Sequence, residues 1–459
     1  MAEKKLTVEE LIKRSEKPGR DAMKLHPFYQ GKIQVTSKCV VRNLNDFAIW
    51  YTPGVAKPCM DIKENPLSVY EHTNKGNCVA IISDGTRVLG LGNIGPEAAI
   101  PVMEGKSLLF KYLGGVDAFP ICLDARAPEK FIEIVLALQP CLGGVNLEDI
   151  EQPKCYHILD ELRKHAHIPI WHDDQQGTAA VTLAGLINAI KVVNKKKEDV
   201  KIAMIGAGAA NIATLRMMLV YGFLPENVML TDIYGIVEKN RKDFEKHFPY
   251  ESLRKLLDRT NSEHKQCDNT EKATEITLKD ADVAICYSRP GPGTVKPEWV
   301  SKMAKDAIIF ACANPIPEIW PWDARKAGAK IVATGRSDFA NQVNNSLGFP
   351  GIFRGVLDIR ATTITDEMCL AAAVELARVA EDKGLHEEYI IPTMEEWDVF
   401  PREAVAVALK AIEQGVAQVK RTKAELTRMA ENKIRNARES IQLLMKNEYI
   451  PPAPPDEKS

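Results

Sequence analysis

Several absences narrow what this 459-residue chain can be. No stretch reaches the ~18 uncharged apolar residues of a membrane span, and the opening residues, MAEKKLTVEELIKRSEKPGR, hold no apolar run of signal-peptide length. A soluble, cytoplasmic protein is expected. Charge imbalance is also lacking: Lys+Arg 60 against Asp+Glu 62 leaves a formal net charge of -2. No broad basic field therefore attracts nucleic acid or an anionic membrane, and any anion must be bound locally. None of the 10 cysteines forms a CxxC pair, and most sit in apolar contexts such as GNCVAII and IIFACAN. They read as reduced, buried small hydrophobes. No histidine pair has metal-ligand spacing, and His165 and His167 fall near a helix end, where solvated or capping roles are expected. No internal repeat is present.

Alternation is what the chain does have. From Cys78 onward, short β-branched runs (CVAIISD, AFPICLD, GGVNL, IPIW, VKIAMIG, NVMLTD, ADVAICYS, AIIFACAN, KIVATG) alternate with segments of helical periodicity such as PEKFIEIVLALQ. This is a βαβ pattern, so the class is α/β with parallel sheets. A charged segment, VVNKKKEDVK, precedes the strand IAMIG and marks the approach to a second sheet. The expected division is 1–177 for a first α/β domain, 178–362 for a second, 363–448 for a helical segment, and 449–459 for a Pro-rich tail. That tail should be disordered or lie along a partner, and the helix before it could be mobile or partner-binding.

Parallel sheets present ligand-binding groups after the carboxyl ends of their strands. KIAMIGAGAANIATL is an apolar strand, then Gly206 and Gly208, then a helix beginning near Ala209 and Ala210, and NVMLTD ends in Asp232. The glycines let a backbone approach a pyrophosphate at a helix N-terminus, and an acid just over 20 residues on can hold a ribose diol. Asn211 occupies the third glycine position. Asp232 favours NAD, whereas Lys239, Arg241 and Lys242 either offset its charge towards NADP or form an ordinary solvated helix face. Glu148 and Asp149 follow one strand and Asp173 and Asp174 the next. An aspartate there is a natural N-cap, but two such pairs converging on one cleft make an all-oxygen cluster for Mg²⁺ or Mn²⁺. Lys106 interrupts an apolar helix, where a snorkelling role is ordinary, and Tyr51 precedes a Pro-Gly turn, where a packed aromatic is ordinary.

Seven ordered motifs, YTPGVA, SDGTRVLGLGNIGPEAAIPVMEGK, NLEDI, HDDQQGTA, IGAGAA, NPIPEI and GRSDFANQVNNSLGFPGIFRGVLDIRA, make the chain resemble the malic enzymes in their compact bacterial and archaeal form. The resemblance runs from about Asn43 to Ala361. It implies a substrate and metal domain followed by a Rossmann-type nucleotide domain. The implied reaction is oxidative decarboxylation of L-malate to pyruvate and CO₂, with reduction of NAD or NADP and a requirement for Mg²⁺ or Mn²⁺, in a homodimer or larger homo-oligomer. Matched by motif, Glu148, Asp149 and Asp174 are metal ligands, Lys106 the general base, Asp173 its neighbouring acid, and Tyr51 the general acid. Arg87 holds a substrate carboxylate; Asn314, Asn344 and Asn345 face malate and the nicotinamide; Gly206, Gly208, Ala209, Ala210 and Asp232 hold the dinucleotide. Asn211 departs from the glycine or alanine typical there. A base lysine must be neutral, so its pKa is expected to fall from ~10.4 to near ~7.5, roughly 4 kcal/mol supplied by burial and the metal charge against Asp173. Two other readings stand beside this one. One is a malolactic enzyme that releases lactate; the other is a catalytically silent dinucleotide sensor.

Overall fold

The structure, a computed structural model, describes residues 8–455, with side chains described from Glu16 onward. Among the described residues ten strands form two sheets. The first has the order β2-β1-β3-β4, with β1 Cys78–Ser83, β2 Asp117–Cys122, β3 Gly144–Leu147 and β4 Ile170–His172, all parallel. The second comprises β5 Ile202–Ile205, β6 Val228–Asp232, β7 Gly235–Ile236, β8 Val283–Cys286, β9 Ala307–Ala311 and β10 Ala329–Thr334, in the order β7-β6-β5-β8-β9-β10. Its order is the doubly wound one, with the switch between β5 and β8. Only β7 runs antiparallel. It is also the strand that periodicity could not reveal, because two residues carry no period.

The central strands β1, β3, β5, β8 and β9 are buried nearly throughout, as expected where helices cover both faces. Helix Thr178–Val192 is buried through Ala179–Ile190 and packs on helix Ala209–Tyr221, joining the two sheets. Helix Phe349–Asp358 returns to the first sheet: the Phe110 ring lies 4.6 Å from Phe349 and 5.2 Å from Phe353. A Cβ on Gly114 would come within 2.7 Å of the Pro350 carbonyl oxygen, so only glycine permits that approach.

The last helix packs one face on its own chain. Lys423–Lys446 opens on a capping box made by Thr422 and Glu425, and buries Leu426, Ala430, Ile434 and Ala437. Arg438 Nε donates to the Tyr112 carbonyl at 2.9 Å. The tail is likewise placed on its own chain: Tyr29 donates its hydroxyl to the Pro451 carbonyl at 3.0 Å, and Lys24 Nζ donates to that of Pro455 at 2.6 Å. Residues 456–459 lie outside the described residues. The cysteines are all free, but Cys39, Cys59 and Cys141 are exposed rather than buried, because they lie on N-terminal and turn segments outside either sheet.

Glu403 is a charge-bearing group inside this core. It is fully enclosed on helix Val399–Glu413, with neither carboxyl oxygen hydrogen-bonded and Gly351 pressed against it. Burial pushes its pKa well above the usual range, so the folded chain keeps a proton that the unfolded chain releases. Stability therefore falls as pH rises above the ordinary glutamate pKa, by up to about 1.4 kcal/mol per pH unit. Glu403→Met removes this slope. Its Tm advantage over the parent protein should widen between pH 5 and pH 8; an advantage constant across that range would exonerate Glu403.

Candidate active site

Lys106 sits where an apolar residue belongs. On helix Pro96–Gly114 the buried positions Ala99, Met103, Lys106, Phe110 and Leu113 form one stripe at helical spacing. The stripe carries its ammonium to the carboxyl ends of β3 and β4. Leu147 pairs with His172 in register, so the chain leaves these strands side by side at Glu148 and Asp173. Lys106 Nζ donates to Asp173 Oδ2 in a very short contact and lies 2.7 Å from Glu148 Oε1. The Phe349 ring covers it at 4.5 Å. The ordinary snorkelling role is thus excluded.

Each acid is held from behind. Asp173 Oδ1 accepts the Trp171 indole N–H at 3.0 Å, and Glu148 Oε2 accepts from the Asn146 amide at 2.8 Å. Residues Asp173–Gly177 form a π-helical turn ahead of helix Thr178–Val192, a wide turn that sends adjacent aspartates in different directions. Asp173 goes to the lysine. Asp174 Oδ2 instead accepts the backbone N–H of Asp149 at 2.9 Å. Asp149 itself has φ of +54°, uncommon for a residue with a side chain, and its Oδ2 is buried without a hydrogen-bond partner.

One carboxylate oxygen each from Glu148, Asp149 and Asp174 lies within 4.8 Å of the others. Burial is the largest influence on all three and drives their pKa values up. Glu148 is further raised by the neighbouring acids although Lys106 opposes; Asp149 is pushed up to about 8, with Asp174 adding to burial; Asp174 is raised by burial against the opposing charge of Lys106. Crowded acids that resist ionisation, one with an orphaned oxygen, fit a hard divalent cation, which would supply the missing positive charge and oxygen-only coordination. His172 is fully buried with both ring nitrogens unpaired, its Nδ1 3.7 Å from Asp174, and burial pushes its pKa down to about 3. It is therefore neutral. His165 lies 3.5 Å from Glu161 on the surface, away from this cluster.

Without a bound cation, the downward shift expected of Lys106 does not develop. Burial does press its pKa down, but Asp173 and Glu148 together outweigh it and the net direction is upward. On sequence alone only Asp173 opposed burial, because Glu148 was assigned wholly to the metal. The structure puts Glu148 against the ammonium as well.

A groove of about 950 Å³ opens over the second sheet at the β5/β8 switch, lined by Gly206, Gly208, Asp232, Tyr287 and Ser288, and reached from the first sheet by Arg87 and Gln152. Gly206 has φ of +98°, and a Cβ there would meet the Tyr287 carbonyl oxygen at 2.5 Å. Gly208 leaves the groove floor open, its nearest side chain 3.8 Å from a would-be Cβ. Ala209 and Ala210 begin the helix behind it and do not line the groove. Asn211 turns inward: its Nδ2 donates to the carbonyls of Gly206 at 2.7 Å and of Ile205 at 3.2 Å. It ties the turn down without entering the groove.

Arg87 hangs its backbone N–H on the Asp149 carbonyl at 3.0 Å, linking groove to acid cluster. Asn314 is exposed, its amide nitrogen 2.9 Å from where a Gly335 Cβ would lie and its backbone carbonyl oxygen 3.1 Å from where a Gly90 Cβ would lie. Asn345 flanks Gly177 in the Asp173 turn. The Asn344 Oδ1 accepts from Ser346 N and Oγ, capping a short helical turn. Tyr51 is not brought to this cluster. It is 72% exposed, on a segment whose Val40, Leu44, Phe47, Ile49 and Trp50 are exposed too, so the packed role is excluded.

Glu318 was not singled out from the sequence. Fully buried in the NPIPEI motif, it accepts Ser288 N–H at 2.8 Å and Ala313 N–H at 3.0 Å, tying together the loops after β8 and β9. Burial lifts its pKa to about 7. An acid inside an otherwise apolar PxPExW run was the available signal.

Comparison with known proteins agrees with this geometry. The family model for the malic enzyme N-terminal domain matches residues 30–163, and that for the malic enzyme NAD-binding domain matches residues 175–414. The bifunctional malic/malolactic enzyme of Bacillus subtilis (strain 168) is 48% identical over 399 residues, 87% of this chain and 94% of that one. The NAD-dependent malic enzyme of Geobacillus stearothermophilus is 47% identical over 388 residues, 84% of this chain and 78% of that one. Among solved structures, Entamoeba histolytica malic enzyme superposes with a TM-score of 0.94 at 44% identity, over 98% of this chain and 93% of that one.

Proposed function

The chain belongs to the malic enzyme family, and from that premise we propose that it oxidatively decarboxylates L-malate to pyruvate and CO₂ with NAD or NADP as oxidant. The observation that carries this reading is the ammonium of Lys106 held between Asp173 and Glu148, beside a three-acid cluster at the mouth of the nucleotide groove. In the proposed division of labour, residues 1–177 supply the acids, lysine and tyrosine, 178–362 the nucleotide groove, 363–448 the helical support and 449–459 the tail.

Glu148, Asp149 and Asp174 would hold Mg²⁺ or Mn²⁺, which supplies Lewis-acid polarisation of the substrate oxygens when bound. Lys106, as the neutral amine, takes the proton of the malate C2 hydroxyl as the C2 hydride passes to the nicotinamide. Asp173, fixed by the Trp171 indole, orients that amine. Breaking the C3–C4 bond releases CO₂ and leaves an enolate, which Tyr51 protonates at C3. Arg87 pairs with a substrate carboxylate, and Asn314, Asn344 and Asn345 line the malate and nicotinamide side. Because Tyr51 stands exposed within an apolar segment, we place it in the cleft of a second copy of the chain, with residues 40–51 forming part of the contact between copies.

The malolactic reading has one specific support, the name of the Bacillus subtilis relative. Product analysis separates the two. With L-malate, Mn²⁺ and either nucleotide, pyruvate should form one-for-one with reduced cofactor, and EDTA should abolish it. Lactate without net reduced cofactor would replace the reading by the malolactic one, and no turnover with bound nucleotide would replace both by the sensor.

A further inference from the structure

The nucleotide groove ends at a corner that departs from a plain NAD site. Asp232 closes β6, where a free carboxylate would accept the ribose hydroxyls and repel a 2′-phosphate. Here it is not free. Its Oδ1 accepts from Arg241 Nη1 at 2.9 Å and from the Tyr234 backbone N–H at 2.8 Å, and its Oδ2 accepts from Arg241 Nη2 at 2.6 Å. Arg241 is anchored on its other edge, with Nε 2.7 Å from Asp243 Oδ1. Both groups are largely enclosed, so the pair is a fixed part of the wall and cancels the charge of Asp232 locally.

Beyond that wall the groove is lined by Ile233, Tyr234, Lys246 and His247. Tyr234 stacks on His247 with ring centroids 4.1 Å apart, and His247 Nε2 lies 3.1 Å from Asp243 Oδ2. Lys246 is exposed and, among the described residues, has no ion-pair or hydrogen-bond partner. Lys239 and Lys242 do not line the groove. An unpaired ammonium next to a neutralised carboxylate is the reverse of the arrangement that excludes a phosphate.

We propose that this end of the groove takes a 2′-phosphorylated adenosine, with Lys246 as the cation that meets the phosphate and Arg241 as the residue that stops Asp232 from repelling it. The proposal rests on the nicotinamide-dependent reading above and deepens it to a preference for NADP.

The test uses nucleotide fragments that carry no nicotinamide, so it does not depend on malate turnover. Calorimetric titration of the full-length protein compares adenosine 2′,5′-bisphosphate with adenosine 5′-monophosphate. The bisphosphate should bind about tenfold more tightly. Lys246→Ala should remove most of that advantage and leave the monophosphate within about twofold. Arg241→Met, which unmasks Asp232, should weaken the bisphosphate while holding or improving the monophosphate. Equal affinity of the two fragments for the parent protein, or equal losses for both in Lys246→Ala, would overturn the proposal. Bisphosphate selectivity in a protein that fails to turn malate over would retain the proposal and sink only the malic reading.

Discussion

Lys106→Ala is expected to lower kcat for malate oxidation by about 100- to 10,000-fold, the range a positioned general base contributes, while leaving the affinity for the adenosine half of the nucleotide unchanged, since Lys106 does not line the groove. The reasoning is electrostatic as well as geometric. Burial drives the Lys106 pKa down, Asp173 and Glu148 drive it up, and the carboxylates prevail. The carboxylates hold the proton on Lys106 in the absence of a cation, and the competent amine appears only as protons are withdrawn, so kcat/KM rises with pH on its acidic side. Asp173→Asn removes one of the two carboxylates that hold the proton. The sign follows directly: the Lys106 pKa falls, and the rising limb of the pH profile moves to lower pH, even though loss of orientation lowers the plateau. A limb that stays in place in Asp173→Asn, or a hydride-transfer rate unchanged in Lys106→Ala, would remove Lys106 from the role of base. Lys106→Arg should not rescue activity, since guanidinium does not deprotonate in this range.

Much of the fold was legible because it rests on local signals. Parallel strands buried on both faces read as short β-branched runs, and nine of them could be placed from the sequence. The two-residue β7 could not, and the docking of helix Lys423–Lys446 onto helix Pro96–Gly114 depends on contacts such as Arg438 to Tyr112, 326 residues apart in sequence, that no periodicity records. The paired acids Asp173 and Asp174 were legible as a pair. What separates them in space is the π-helical turn, which a run of DDQQG does not announce. The contact between Glu148 and the Lys106 ammonium was hidden for a related reason, since it is a fact of register between β3 and β4. Asn211 read as a break in a glycine pattern and is instead a clasp, because its amide satisfies carbonyls that a tight turn leaves exposed. The Asp232–Arg241 pair was only one of several possibilities until the loop after β6 brought the guanidinium back over nine residues.

The largest effect expected from assembly is a rescue. Tyr51 lies on an exposed apolar segment while Lys106 is enclosed beside the acid cluster, and a cleft completed by a second copy needs one residue from each chain. Tyr51→Phe alone and Lys106→Ala alone should each be nearly inactive in pyruvate formation. In a dimer of one variant with the other, one cleft carries both defects and its twin carries neither. Random reassortment of equal amounts makes half the dimers mixed, each with one sound cleft of two, so activity should recover to about a quarter of the parent level. If both residues instead came from the same chain, every cleft in the mixture would retain one defect, and mixing would recover nothing. The outcome is insensitive to how far each substitution lowers activity, because it counts sound clefts rather than rates. It also separates a contact through residues 40–51 from one elsewhere: a charge introduced at Leu44, exposed and remote from the acids, should prevent the rescue by preventing assembly while leaving the Lys106 cluster intact.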